Sequence, residues 1–150
     1  MGIAWRLSGK LLLTIDLEQY GWSNFDQQDI DFSTELKQAG FADISIPYAW
    51  ENSWVFDMGI ELELNGKCAV RAGYSFIQDF IPDQTFSPAN PIDDQHAFSI
   101  GIGYRAGRGV VIDIFYVIDF FQSREVHNEI LSGTYDSICH FSGMSLDYRF

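Results

Sequence analysis

Residues 50–76 read WENSWVFDMGIELELNGKCAVRAGYSF and hold two alternating segments on either side of one tight turn. Apolar side chains occupy every second position over 54–64 and again over 68–76. A period of two is typical of β-strands, because successive side chains of a strand point to opposite faces of the sheet. The Asn65-Gly66 pair predicts a two-residue hairpin turn in which both residues have positive φ. The stretch is therefore predicted to be an antiparallel hairpin with one apolar face and one face of small or charged residues.

The apolar face of such a hairpin packs either on a protein core or against lipid. In the first case the charged face lies in water, and in the second it lines the lumen of a barrel. Each segment runs for about ten residues, which is the span of a tilted transmembrane strand and about twice the usual length of a globular strand. The lengths favour a membrane barrel.

The composition agrees with a membrane protein and argues against nucleic acid. Aromatic residues make up 16% of the 150 residues, with 13 Phe, 7 Tyr and 4 Trp, which suits lipid-facing surface and interfacial belts. A formal net charge of -12 leaves no basic patch for phosphates. No apolar run is long enough for a transmembrane helix. The first residues resemble a secretion signal, but Asp16 interrupts the apolar run and no cleavage site follows, so we do not predict one.

The same alternation continues along the chain, at 2–6, 11–22, 96–105, 110–121 and 143–150. The connections alternate in length, being short at 8–10, 65–66 and 106–109 and long at 23–48, 79–95 and 122–136. Outer-membrane barrels have this arrangement, with short periplasmic turns and long extracellular loops. The chain is thus predicted to be all-β, an antiparallel transmembrane β-barrel segment of about six complete strands.

Two of the long connections carry local signals. In the first, Ser33 or Thr34 is predicted to cap a short helix that Gly40 ends. In the second, three prolines keep the chain out of any sheet ladder, at positions 82, 88 and 91.

Several motifs, taken in order, resemble the FadL/TodX family of outer-membrane transporters. They are Ile15-Asp16-Leu17 with Trp22-Ser23-Asn24, Trp54, Arg71-Ala72-Gly73-Tyr74-Ser75, Ile81-Pro82-Asp83, Ser87-Pro88-Ala89 with Pro91, Ser99 to Arg105, and Leu146-Asp147-Tyr148-Arg149-Phe150. The resemblance covers nearly the whole chain but only the C-terminal part of the family's barrel. It implies that residues 1–150 are the C-terminal portion of an outer-membrane transport domain, a fragment of a larger barrel.

The resemblance also implies a function and a location. The expected function is passive transport of long-chain fatty acids or other hydrophobic compounds across the outer membrane of Gram-negative cells, without a cofactor. The expected partners are the hydrophobic substrate, the outer-membrane lipid and lipopolysaccharide, and the assembly machinery that reads the terminal aromatic residue, Phe150. Two alternatives stay open: a structural or adhesive barrel without transport, and a soluble lipocalin-like barrel, against which the charged inner face argues.

The long loops are unusually apolar, and this makes them candidates for ligand capture. Apolar groups on outer loops either receive a ligand or pack on one another over the barrel mouth. The residues in question are Phe41, Ile44, Ile46, Trp50, Phe80, Ile81 and Phe86.

The charged residues of the inner face also have two interpretations. Arg71 or Arg105 is a potential bidentate partner of a substrate carboxylate, or it pairs with carboxylates such as Glu61 on neighbouring strands. The second use is the more common one.

Catalytic and metal chemistry are not predicted. His96, His127 and His140 have no serine or cysteine nucleophile motif beside them. The acidic loop at 26–31 lacks the glycine and terminal glutamate of a calcium-binding EF-hand. The two cysteines have neither metal-ligand nor disulfide-framework spacing. The chain is therefore not expected to be an enzyme or to hold a metal.

Overall fold

The structure is a computed structural model that describes residues 1–87, 92–107, 109–128 and 132–148. Its strands are β1 (Gly2–Arg6), β2 (Leu11–Tyr20), β3 (Gln27–Ile30), β4 (Ile44–Pro47), β5 (Ser53–Glu63), β6 (Cys68–Ile77), β7 (Gln95–Gly107), β8 (Val110–His127) and β9 (Ser132–Tyr148), and its helix α1 spans Thr34–Gln38. Seven strands form one antiparallel sheet in the order β1-β2-β5-β6-β7-β8-β9. The prediction of an antiparallel all-β segment is confirmed.

Cross-strand register gives the sheet two chemically different faces. On the outer face, Ile60 lies opposite Ala72, which lies opposite Ile100, and the pairing continues to Tyr116. Large apolar side chains of this face are exposed, among them Ile15, Met58, Ile100, Ile102, Ile114, Met144 and Leu146. The inner face carries the small and charged residues of the intervening positions, including Thr14, Gly59, Glu61, Arg71, Gly73, Ser99, Gly101, Asp113 and Phe115.

The turn between β5 and β6 differs from the predicted one. Neither Asn65 nor Gly66 has positive φ, so the prediction of a two-residue turn is wrong. The Leu64 amide donates to the Cys68 carbonyl at 3.0 Å, which leaves three residues in the turn. The Asn65 side-chain oxygen accepts hydrogen bonds from the amides of Lys67 and Cys68 at 2.8 and 2.9 Å. This side chain therefore organises a turn that the dipeptide rule assigned to backbone geometry alone.

The connection from β2 to β5 has secondary structure of its own. β3 and β4 pair in a separate two-stranded sheet, and α1 lies between them. Ser33 is the N-cap of α1, and Gly40 follows it with a φ of 97°. This confirms the predicted short helix and its end, because a φ in this range favours glycine.

The prediction of a third long connection at 122–136 is wrong. β8 continues to His127 and β9 begins at Ser132, so most of this stretch is strand. Phe121 pairs with Ser137 and Arg124 pairs with Tyr135, so two residues of β8 lie opposite one residue of β9. This bulge moves the following side chains of β8 to the other face, and a pattern search for strict alternation therefore loses the strand at this point.

The strand predicted at 96–105 runs from Gln95 to Gly107, and Pro88, Pro91 and Phe150 lie outside the described residues. Among the residues that the structure describes, no helix is both long and apolar enough to cross a membrane.

The buried apolar cluster is formed by loop residues and by Val126 at the end of β8, while the faces of the sheet stay open.

Candidate functional site

An arginine held between two carboxylates lies on the inner face of the sheet. Arg71 on β6 is directly opposite Glu61 on β5, and its Nε donates to Glu61 Oε2 at 2.6 Å. Its Nη1 donates to Asp113 Oδ1 on β8, two strands away in the other direction. The three side chains form one network across four strands, here called the Arg71 triad.

The triad depends on the absence of a side chain at Gly103 on β7. A Cβ atom built at Gly103 would lie 2.6 Å from Asp113 Oδ1 and 3.0 Å from Arg71 Nη1. Gly103 therefore opens the path by which the guanidinium crosses β7. Glycine in a strand interior has a cost in stability, and here the close approach of two charged groups accounts for it.

Beside the triad, small residues form an open groove of about 540 Å³. Its floor includes Gly59 paired with Gly73, and Gly73 paired with Ser99. The Phe115 ring lies over Gly143, where a Cβ atom would approach the ring to 2.6 Å. The volume falls within the range of small-molecule sites. The groove is lined on the inner face by the triad residues together with Leu12, Thr14, Gly59, Gly73, Ser99, Gly101 and Phe115, and it also touches Ile60, Ala72, Ile100 and Ile114.

A second ion pair lies nearer the β5–β6 turn. Arg105 Nη2 is 3.2 Å from Glu63 Oε1, and the two side chains are 55% and 28% exposed. The structure thus brings Arg71 and Glu61 into one cluster and places Arg105 in another. Arg71 has carboxylate partners on the adjacent β5 and on β8, and Arg105 has one on β5, two strands away.

Asp119 on the inner face of β8 is unusual because it is buried and incompletely paired. Its side chain lies between Ala97 and Cys139 in the cross-strand register, and the residue is 9% exposed. Among the described residues, its Oδ1 atom has no hydrogen-bond partner. Asp119 is in phase with Asp113 in the alternation of β8, and no feature of the sequence signals its burial.

The loops at the other end of the sheet form an apolar cluster. Phe80, Ile81 and Phe86 are 9%, 2% and 2% exposed and pack with Val126 of β8. Trp50 packs against the same cluster, with its ring centroid 5.0 Å from that of Phe80. Four of the seven predicted loop residues are thus brought together.

The other three loop residues lie in the β3–β4 region. Phe41, Ile44 and Ile46 are 54%, 48% and 36% exposed, and Phe41 contacts Phe32 with ring centroids 5.6 Å apart. None of the three belongs to the buried cluster. The predicted set is therefore divided between a packed part and an exposed part.

Arg124 fastens the loop at 79–87 to β8, and sequence reasoning missed it. Its Nε donates to Asp83 Oδ1 at 2.8 Å and its Nη1 to Asp79 Oδ2 at 2.6 Å. Its Nη2 donates to the Ile81 carbonyl at 2.7 Å, and the guanidinium lies 5.0 Å from the Phe86 ring centroid. The side chain is only 12% exposed. We call this arrangement the Arg124 clamp.

Burial changes the acidity of the carboxylates near the clamp. It raises the pKa of Asp79 above the ordinary value, against the opposing effects of the Ile81 amide hydrogen bond and the Arg124 charge. Burial raises the pKa of Asp93 in the same way. At the exposed end of the loops the direction reverses, because the hydrogen bond from Lys37 lowers the pKa of Asp43. The pKa values of Asp79 and Asp93 near the clamp and that of Asp43 are therefore shifted in opposite directions.

Comparison with known proteins supplies a family and a fold. Residues 1–150 match the sequence profile of a family described as outer membrane protein transport protein (OMPP1/FadL/TodX). The fold is similar to the crystal structure of a Pseudomonas aeruginosa FadL homologue, with a TM-score of 0.87 and 20% sequence identity. The match covers 98% of this chain and 34% of the homologue, so the chain spans about a third of that protein's length. A search of curated proteins finds no match.

Proposed function

Because the chain belongs to the FadL/TodX family of outer-membrane transport proteins, we propose that it forms part of the wall through which long-chain fatty acids or other hydrophobic compounds enter Gram-negative cells by passive diffusion. In this proposal the seven-stranded sheet is a multi-pass barrel segment. The chain supplies contacts for the cargo and no catalytic group. Its surroundings are outer-membrane lipid and lipopolysaccharide, and Phe150 is the residue that the assembly machinery would read.

The observation that carries the proposal is the contrast between the two faces of the sheet. The outer face exposes aliphatic side chains such as Ile100, at 63%, and Met144, at 72%. Exposed aromatic residues lie toward both ends of these strands, including Trp54 and Phe98 at one end and Tyr104 and Tyr148 at the other. An apolar band between aromatic girdles is the lipid-facing pattern of outer-membrane barrels. The inner face carries the charged residues and the groove.

The apolar loops would receive the cargo before it reaches the groove. We assign first contact to the exposed residues Phe41, Ile44 and Ile46, since they lie outside the buried cluster. Trp50 and its packed neighbours Phe80, Ile81 and Phe86 would then line the way inward. This order follows the burial gradient, from about half-exposed side chains to nearly buried ones.

Uptake by cells tests the proposal. The intact gene product would be expressed in a Gram-negative host that lacks its own hydrophobic-uptake protein, and accumulation of radiolabelled oleyl alcohol and oleate would be measured against an empty vector. We expect at least one compound to accumulate several-fold faster than in the control. Accumulation at the vector level for both, with the protein assembled in the outer membrane, would favour a structural or adhesive barrel.

A loop variant tests the capture surface separately. Phe41→Asp places a charge on an exposed side chain that does not belong to the buried cluster, so the fold should tolerate it. We expect it to reduce the uptake rate at low cargo concentration more than at saturation. Phe86→Asp is the contrasting variant, because it would disrupt the clamped loop as well. Unchanged uptake in Phe41→Asp would contradict the capture surface.

A further inference from the structure

We infer that the inner face selects uncharged hydrophobic compounds over long-chain anions. This inference rests on the proposed transport function and narrows its cargo. It is carried by the Arg71 triad, by the Arg105 pair, and by the excess of carboxylates over arginines on the same face.

The Arg71 triad leaves little for an incoming carboxylate to bind. Strong recognition of a carboxylate by arginine uses a fork of two parallel N–H donors. In Arg71 the Nε and Nη1 donors are already directed at Glu61 and Asp113. A fatty-acid headgroup approaching this guanidinium would meet one negatively charged carboxylate on each side of it. The triad therefore repels at close range what a free arginine would attract.

The other cations of the inner face do not reverse this balance. Arg105 is paired with Glu63. Arg6 lies on β1 in the same cross-strand row as Glu61, through Leu12. Arg124, which the bulge in β8 turns to this face, is paired with Asp79 and Asp83. The carboxylates that share this face are more numerous than these four arginines in the described part of the chain, namely Asp16, Glu18, Asp57, Glu61, Glu63, Asp113, Asp119 and Asp147.

The groove itself suits an uncharged chain. Apart from the triad, its inner-face lining consists of glycines, Leu12, Thr14, Ser99 and the Phe115 ring. The glycines bring the backbone close to the groove, and Phe115 is 47% exposed. An alkyl or aromatic cargo gains apolar contact here without displacing an ion pair. A carboxylate gains the same contact but also meets the negative field of the wall.

The test compares two cargos that differ only in their headgroup. Oleyl alcohol and oleate have the same chain, and at neutral pH only oleate is charged. Uptake of each would be measured with the intact gene product in the host described above. A unit charge about 4 Å away changes binding by about fivefold even in water. We therefore expect oleyl alcohol to exceed oleate by about fivefold, after subtraction of the vector control.

Variants that free an arginine provide the decisive comparison. The double variant Glu61→Gln with Asp113→Asn removes two negative charges and leaves Arg71 as an unpaired cation. We therefore expect the ratio of oleate to oleyl alcohol uptake to rise by about fivefold for each charge, or about 25-fold in total. Adding Arg71→Gln leaves the three side chains uncharged and should reduce the rise to about fivefold. If the double variant does not assemble, Glu63→Gln frees Arg105 by one change in a largely exposed pair and should raise the ratio in the same direction.

The outcomes separate the inference from the function on which it rests. Uptake of neither compound would overturn the proposed function. Equal uptake of both by the wild type, or preference for oleate, would overturn the inference and leave transport intact. Preference for oleyl alcohol with no rise in the ratio in any arginine-freeing variant would also overturn it, because the pairing of the arginines would then not set the selectivity.

Discussion

Ile100→Arg tests the assignment of the outer face to lipid. Ile100 is 63% exposed and lies between Ala72 and Tyr116 on the neighbouring strands. The outer side chains of β7 run from His96 to Tyr104, and Ile100 is four residues from each. With a rise of about 3.3 Å per residue and a tilt of about 40°, Ile100 lies about 10 Å from either end of this row. That position is close to the middle of an apolar band about 25 Å tall.

The expected cost follows from this depth. An arginine at the bilayer midplane of a barrel costs about 2–4 kcal/mol, whereas near the interfaces it costs about 0–1 kcal/mol. Ile100→Arg should therefore lower the folding equilibrium constant by roughly 30- to 900-fold. Tyr104→Arg, at the end of the row, should lower it by less than about sixfold.

Ser99→Arg is the matched control. It introduces the same side chain at the adjacent residue of the same strand, but on the inner face beside the groove. We expect a change within about 0.5 kcal/mol, as for surface substitutions in general. The assay is urea unfolding of the intact gene product in lipid vesicles, followed by tryptophan fluorescence. Equal destabilisation by arginine at 99 and at 100 would refute the assignment of the two faces.

Three further predictions concern the clamp, the triad and acid. Arg124→Ala should lower the free energy of unfolding by about 3 kcal/mol, as expected when one partner of a buried pair is removed, whereas Arg105→Ala, in an exposed pair, should lower it by less than about 1 kcal/mol. Urea midpoints and hydrogen exchange of the loop at 79–87 measure the difference. Equal losses of stability would contradict the clamp. Gly103→Val should destabilise the protein more than Gly66→Ala, since a side chain at 103 meets the ion pair of Arg71 and Asp113 and one at 66 meets open space. Equal urea midpoints would contradict the proposal that Arg71 reaches Asp113 across Gly103. The pKa of Asp43 is lowered in the fold, so the stability that Asp43 contributes is present above about pH 4 and is lost as the pH falls through the folded pKa. Hydrogen exchange around α1 should become faster over the same fall in pH. Constant protection of these amides would contradict the prediction.

The two-faced sheet could be predicted because it depends on a local property, the period-two alternation. β2, β5, β6 and β7 were predictable from this pattern, and their faces agree with the observed register. The family resemblance was confirmed by the profile match over the whole chain. Each of these features is predicted by patterns of side chains that lie a few residues apart in the sequence.

Some features that escaped prediction depend on residues distant in sequence, whereas the turn at Asn65 depends on a local side-chain contact. Arg124 contacts Asp79 and Asp83, which are 45 and 41 residues away, and its strand lies beyond a bulge that breaks the alternation. The turn at Asn65 deviated because a side-chain oxygen supplied hydrogen bonds that the dipeptide rule does not consider. The division of the apolar loop residues into packed and exposed groups depends on how two loops meet.

The Arg71 triad has a consequence for the order in which the sheet is built. Arg71 and Glu61 are 10 residues apart, so their ion pair can form once a single hairpin exists. Asp113 is 42 residues from Arg71, and its contact requires β7 and β8 to be in place, with a larger loss of chain entropy on closure. The carboxylate of Asp113 thus finds its partner only when β8 joins in the correct register. A slip of one residue would send its side chain to the other face, so the contact between Asp113 and Arg71 is compatible only with the observed register of β8.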